Sequence, residues 1–418
     1  MEGRRLLAMV VLCCAVFTGL GFLLKAPCGP DYNGRRDRLL CSNDIQVLYA
    51  TRGISQHTFP YVHGRLVRIG QGADLRDGAI EYPVLTGLAA WLPGLVSEDS
   101  AHYLSATAVM LAPFSLLTAW LLFRWVGRRA WYYAAAPPLI WYSFHNWDLL
   151  VVAATVAAFY LWWKHRPIAA ALLLGVGGAL KLWPLFFLAP LVLARLRDRD
   201  RAGAMEVAGA GVGIFALINS PFIVINRGGW WASYEFQGLR QADVTTNSIW
   251  YWGLPHLSRG TLNVLSPVLI ATAFLVALGY GWVRARREDR YPFLGVCGAM
   301  LVAYLLLNKV HSPQYALWLL PFLVLLRVRW GWWAAYLTFD ALLYVGLFRW
   351  FYDLSRGVDF GLPKQALILG VWGRAAMLVL LFVVFLRADA AVPEPESNEP
   401  GLEEEVASGP ARRPSHRR

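Results

Sequence analysis

Long apolar runs separated by short arginine-rich loops constrain this chain more than any other feature. Windows of about 15 to 23 residues with few charges recur along its 418 residues, each about the length that crosses one bilayer core. In lipid every backbone amide must be satisfied within its own segment, so such runs fold as helices. The sequence therefore predicts an all-α, polytopic integral membrane protein. At 57% hydrophobic and 16% charged, it lacks the polar surface that a soluble chain of this length would need. The net charge of +12 does not call for nucleic acid. Its basic residues sit in short loops between apolar runs, as positive-inside bias requires. The 20 Trp and 18 Tyr suit interfacial belts, as at Trp230-Trp231, Trp332-Trp333 and Trp350.

Arg4-Arg5, Arg124 to Arg129, Lys164 to Arg166, Arg195 to Arg201, Arg284 to Arg290 and Arg327 to Arg329 go on the cytoplasmic side. The spans then fall at about 6–24, 101–123, 130–144, 149–163, 168–182, 184–196, 204–225, 263–283, 291–307, 314–326, 331–348 and 365–386. About twelve helices result, with both termini cytoplasmic. Several are short for a core of about 30 Å, which calls for tilt or thinning. An apolar stretch at about 83–97 breaks this parity and reads as an interfacial or re-entrant helix entered through Tyr82-Pro83. Residues 1–387 form the transmembrane domain, with 25–100 as a first extracytoplasmic loop carrying interfacial helices. Residues 388–418, rich in Pro and Glu, read as a disordered cytoplasmic tail. The first span has no small-x-small cleavage site before Lys25 and reads as an uncleaved anchor. Cys28 and Cys41 share the outer loop, either paired or free. Cys13, Cys14 and Cys297 fall within spans as packing residues.

The chemically interesting polar residues lie at the ends away from the arginines. Asp44, in CSNDIQVLYATRG, either takes a proton as a general base or joins Ser42 and Asn43 as a helix N-cap candidate. Glu81 opens the interfacial helix, as a second acid, a metal ligand or a solvated turn residue. His145 and Asp148 share the tight outer turn FHNWDLL, where Asp148 either orients a histidine or binds sugar hydroxyls, or else caps the next helix. Lys181 lies among apolar residues in GVGGALKLWPLFF. There an ammonium costs about 2.5–3.5 kcal/mol unless it snorkels or meets an anion. Lys309, His311 and Gln314 crowd the turn NKVHSPQY. The outer loop at about 226–262 carries Arg227, Glu235, Arg240, Asp243 and Asn247 among aromatics, a mixture suited to carbohydrate docking or to membrane anchoring. Only five lysines stand against 34 arginines, and Lys25, Lys181, Lys309 and Lys364 all fall on the outer side. Such compact point charges suit phosphate oxygens. No DxD or His-x-His spacing appears, so no metal and no other cofactor is expected.

DIQVLYATRG, EYPVLTG, FHNWDLL, GGALKLWPLFFLAP and NKVHSPQYALWLLP, in this order over about 44 to 321, resemble the polyprenyl-phosphate-sugar-dependent membrane glycosyltransferases of the GT-C fold. The nearest resemblance is to glycosyltransferase family 87, the actinobacterial mannosyltransferase-like proteins. It implies a GT-C-type bundle in the cell membrane with an extracytoplasmic active site. Asp44 is then the base, and Lys181 and His311 match the basic positions near the donor phosphate. Glu81, His145, Asp148, Asn247, Lys309 and Gln314 complete the expected substrate site. The expected reaction is inverting transfer of a sugar, mannose by resemblance, from a polyprenyl-phosphate donor to a cell-envelope glycolipid or glycan. Membrane lipids are the other expected partners. The alternative is a non-enzymatic flippase of a lipid-linked glycan. That reading needs ionisable groups along a transmembrane path, where only Asp340 offers a clear acid, and no internal repeat is evident.

Overall fold

A computed structural model describes residues 2–29, 31–70, 72–288 and 290–392. Helices supply nearly all of its regular structure, and the chain is an all-α membrane protein. Five helical stretches are long and apolar enough to cross a membrane: Glu2–Cys28, Ser100–Ala134, Arg201–Leu239, Arg259–Glu288 and Leu362–Arg387. Other expected spans are shorter. Asp148–Trp163, Pro167–Leu180 and Phe293–Leu307 have 16, 14 and 15 residues, or about 21–24 Å at 1.5 Å per residue. The stretch expected at 130–144 is broken into Trp131–Ala134 and Pro137–Tyr142, since Pro137 and Pro138 bring no amide donor. The 184–196 stretch opens as a 3₁₀ turn, Trp183–Phe187, before the helix Leu188–Arg197. Val84–Gly94 has only 11 residues, about 16 Å and too short to cross.

Close backbone approach holds several of these helices together. A methyl at Gly370 would lie 2.5 Å from the Leu343 amide nitrogen, and one at Gly346 would lie 2.5 Å from that of Leu367. The helices Trp330–Ser355 and Leu362–Arg387 therefore touch along small residues, the usual means of dense packing where lipid offers no hydrophobic drive.

The two ends of the bundle differ in chemistry. At one end arginines close helix C-termini. Arg129 donates to the Val324 and Leu326 carbonyls at 2.9 and 2.8 Å. Arg284 donates to the Leu386 and Ala388 carbonyls and to Asp389. These carbonyls have no partner within their helices, and a guanidinium satisfies several at once. Residues 388–392, which the sequence reading assigns to the tail, are tied to the same end. The Ala391 amide donates to the Leu325 carbonyl at 2.7 Å, and Leu326 bridges Ala390. The rest of the expected tail, 393–418, lies outside the described residues.

The opposite end carries the loop expected at 25–100. Cys28 and Cys41 form a disulfide. Beyond the helix Asp44–Thr51, an unexpected antiparallel hairpin pairs Arg65–Ile69 with Gly72–Arg76. Leu66 and Leu75 of the hairpin pack with Ala79, Ala232 and Phe236 in a small apolar cluster. The last two of these belong to the helix Arg201–Leu239, which bends at Asn226 (φ −150°, ψ 89°). The Asn226 side chain causes the bend to hold. Its Nδ2 donates to the Val62 and Gly64 carbonyls, and its Oδ1 accepts from the Gly229 amide. The chain expected as a loop after 225 thus remains helical to Leu239 and roofs a cavity.

Candidate active site

A cavity of about 830 Å³ opens at the end opposite the arginine clamps. The first loop, the 143–147 turn, the bent helix and the 308–315 segment surround it. Asp44, Glu81, His145, Lys181, Asn247, Lys309 and Gln314 all line it. The fold therefore gathers seven of the nine expected residues from across the sequence.

Asp44 owes its availability to its neighbour. Asn43 takes the N-cap, its Oδ1 accepting from the Gln46 amide at 2.8 Å. The Asp44 carboxylate is left free of capping and accepts from Asn146 Nδ2 at 2.8 Å. The Asp44 amide donates to the His145 carbonyl at 2.8 Å, which fixes the helix start against the turn. Burial raises the pKa of Asp44, against the opposing hydrogen bond from Asn146 and the charges of Lys181, Arg240 and Lys25. A carboxylate in this state is a stronger base than a solvated one.

Asn146 joins the acid to the cation. Its Nδ2 also donates to the Tyr82 hydroxyl at 2.6 Å, and its Oδ1 accepts from the Trp147 amide at 2.7 Å and from Lys181 Nζ at 3.4 Å. Lys181 follows the helix Pro167–Leu180 in extended backbone (φ −149°, ψ 140°). Its ammonium does not snorkel. It pairs with Asp148 Oδ1 at 2.6 Å, with the rings of Tyr82, Trp318 and Tyr315 at 5.1, 5.3 and 5.8 Å. Trp318 Nε1 donates to the same carboxylate oxygen at 2.7 Å. Asp148 is fully buried and makes no N-cap bond. Its contribution to the cavity passes through Lys181.

The remaining residues take distinct roles. His145 is buried, with Nδ1 3.0 Å from the Ser42 carbonyl. Burial, then the charges of Lys25 and Lys181, hold its pKa well below the usual value, so the ring is neutral with Nδ1 as donor. Glu81 is held by Arg52, Nε at 2.7 Å and Nη2 at 3.3 Å, and Arg52 also meets Asp74 at 3.5 Å. Lys309 donates to the Gly238 and Arg240 carbonyls, each at 2.9 Å, and to Asn263 Oδ1 at 2.6 Å. Its three donors are thereby used. Burial, followed by the charges of Arg240 and Arg259, lowers its pKa to about 8. Asn247 Oδ1 and Gln314 Oε1 are buried acceptors with no hydrogen-bond partner. Asn247 holds a left-handed backbone (φ 46°).

His311 turns away from this cavity. Its Nδ1 lies 2.8 Å from the Leu305 carbonyl, and its Nε2 contacts Arg374. Burial and the Arg374 charge hold its pKa well below normal, so it is a neutral ring within the bundle rather than a cation at the cavity. Asn146, Tyr82 and Arg240 join the site without being among the nine expected residues. The first two stand within FHNWDLL and EYPVLTG but carry no charge to draw notice. Arg240 falls in a stretch read as an irregular loop.

The model of glycosyltransferase family 87 matches residues 80–307, more than half of the chain. The chain belongs to glycosyltransferase family 87. No curated protein matches it. The match to family 87 includes Glu81, Tyr82, His145, Asn146, Asp148, Lys181, Arg240 and Asn247, and it stops before Lys309. Asp44 precedes it. As a family 87 member the protein is a glycosyltransferase, with a sugar donor and an acceptor as its substrates.

Proposed function

We propose that this membrane glycosyltransferase moves a sugar from a polyprenyl-phosphate donor to a cell-envelope glycolipid or glycan, at the extracytoplasmic face of a multi-pass bundle. Mannose is the sugar by resemblance. The observation that carries the reading is the Asp44 carboxylate, relieved of capping by Asn43 and open to a cavity that also holds cations. Asp44 takes the proton from the acceptor hydroxyl as its oxygen attacks the anomeric carbon. The bond from that carbon to the phosphate oxygen breaks on the opposite side, and the polyprenyl phosphate leaves with the electron pair. Configuration inverts. Cations fixed in advance stabilise the charge that develops on the leaving group.

The unpartnered oxygens of Asn247 and Gln314 suit sugar hydroxyls, which can donate to them. Lys181, aligned by Asp148, and neutral His145 line the reacting space. Glu81 acts through Arg52 as a wall of the site, and Lys309 and His311 hold its backbone. Two observations support the extracytoplasmic side: a disulfide beside the cavity, which persists in oxidising compartments, and arginine clamps at the other end, where positive-inside bias puts the cytoplasm. Nucleotide sugars are absent outside the cytoplasm, so a donor there must be lipid-borne.

The test is transfer of radiolabelled sugar in membranes, offering a polyprenyl-phosphate sugar and, separately, a nucleotide sugar. The expected result is a new glycosidic bond from the lipid donor alone. Lipid translocation without bond formation, or transfer only from the nucleotide sugar, would overturn the proposal.

A further inference from the structure

The cavity is lined by three full cations, Lys181, Arg240 and Lys309, and two of them are already committed within the protein. Lys181 pairs with Asp148 at 2.6 Å. Lys309 gives its three donors to Gly238, Arg240 and Asn263. Among the described residues, the half-buried guanidinium of Arg240 meets no carboxylate and no other acceptor. We infer that Arg240 is the residue that binds the donor's phosphate and receives its charge as the sugar leaves. This rests on the lipid-phosphate donor proposed above and assigns its anchoring group.

The backbone around Arg240 is built to be still while its side chain is free. The bent helix ends at Leu239, and Arg240 leaves it in extended conformation (φ −59°, ψ 136°). Lys309 grips the Gly238 and Arg240 carbonyls, and Asn263 Nδ2 donates to the Gly238 carbonyl at 2.9 Å. Arg259 adds a further bond to the Leu239 carbonyl at 3.4 Å. Three positive groups, Arg240, Lys309 and Arg259, therefore crowd one rim. Burial first, and then the charges of both arginines, lower the Lys309 pKa to about 8. An anion relieves the repulsion among these cations. The charge of Arg240 also reaches Asp44, so the acid and this cation face a shared space, as displacement between a base and a leaving phosphate requires. A planar guanidinium holds two phosphate oxygens through parallel bonds in a fixed fork, an orientation that the point charge of an ammonium does not impose.

The experiment compares Arg240→Gln, Arg240→Lys and Asp44→Asn in reconstituted bilayers. It measures binding of polyprenyl phosphate directly, together with KM and kcat for the polyprenyl-phosphate sugar. Loss of one charge-assisted contact should weaken phosphate binding and raise donor KM by about 10- to 100-fold in R240Q, with partial recovery in R240K. D44N should bind the lipid within about 3-fold of wild type while losing turnover, since the base acts on the acceptor proton. Because Arg240 has no described protein partner, R240Q should keep the wild-type melting temperature. Wild-type binding that R240Q fully retains, with unchanged donor KM, overturns the Arg240 assignment alone. A wild-type protein that binds no polyprenyl phosphate overturns the donor reading as well.

Discussion

Lys181–Asp148 and Arg374–Asp340 are both buried cation–carboxylate pairs, at 2.6 and 3.2 Å, yet they are set in different surroundings. The first borders the cavity through Lys181 and reaches Asp44 through the amide of Asn146. The second is enclosed. Tyr142 donates to Asp340 at 3.3 Å, and Arg374 contacts His311, linking the helices Trp330–Ser355 and Leu362–Arg387 to the 308–315 segment. Taking two charges out of water costs several kcal/mol per ion, so neither pair is evidence of stability in itself. What separates the pair at the proposed site from the enclosed one is access to a cavity and a connection to Asp44.

The comparison breaks most readily at the acids. Asp44→Asn should lower sugar transfer per folded molecule by about 10²–10⁴-fold, the usual contribution of a general base, whereas Asp340→Asn should leave the turnover of the folded fraction within a few-fold of wild type. Equal losses in the two variants would erase the distinction. Next come the pairs themselves. Asp148→Asn and Asp340→Asn each strand a buried cation, at roughly 3–5 kcal/mol of stability, and thermal unfolding in detergent would record both. Only Asp148→Asn should also depress transfer by the molecules that stay folded. A smaller effect is expected at the rim of the cavity. Replacing Cys28 and Cys41 by serine frees a loop with a sequence separation of 13, a change worth about 3 kcal/mol and measurable as a lower melting temperature without an altered donor KM.

The gentlest probe is pH. Burial raises the pKa of Asp44, so its base form is lost as pH falls through that raised value. The acid limb of kcat/KM should accordingly lie above the ordinary carboxylate value of 3.8 and remain in place in Asp340→Asn. A limb at or below the ordinary value would mean that Asp44 is not the titrating base.

The sequence conveyed the ends of the molecule better than its details. Arginine loops and lysine-bearing turns segregate in the chain because helix ends and bilayer surfaces select for them, and that split maps onto the clamped and open ends of the bundle. Single residues within a polar cluster were harder to separate. Ser42, Asn43 and Asp44 are all competent caps, and only the packed geometry gives the cap to Asn43 and frees its neighbour. In NKVHSPQY, adjacent polar groups diverge: Lys309 binds carbonyls, His311 faces Arg374, and Gln314 faces the cavity. Composition carries no information on those directions. The hairpin at 65–76 escaped notice because its two strands mix Arg and Asp with only a few apolar residues, masking the two-residue period. Arg240 stood among several charged and aromatic residues of the loop expected at 226–262, where nothing singled it out, because the chain there remains helical through the bend at Asn226.

The most direct measurement is an experimental structure of the protein in lipid with a polyprenyl-phosphate sugar bound. The account predicts the phosphate at the Arg240 guanidinium and the sugar inside the cavity, with its anomeric carbon open towards Asp44. A donor headgroup seated outside this cavity, or one whose anomeric carbon faces away from Asp44, would contradict it.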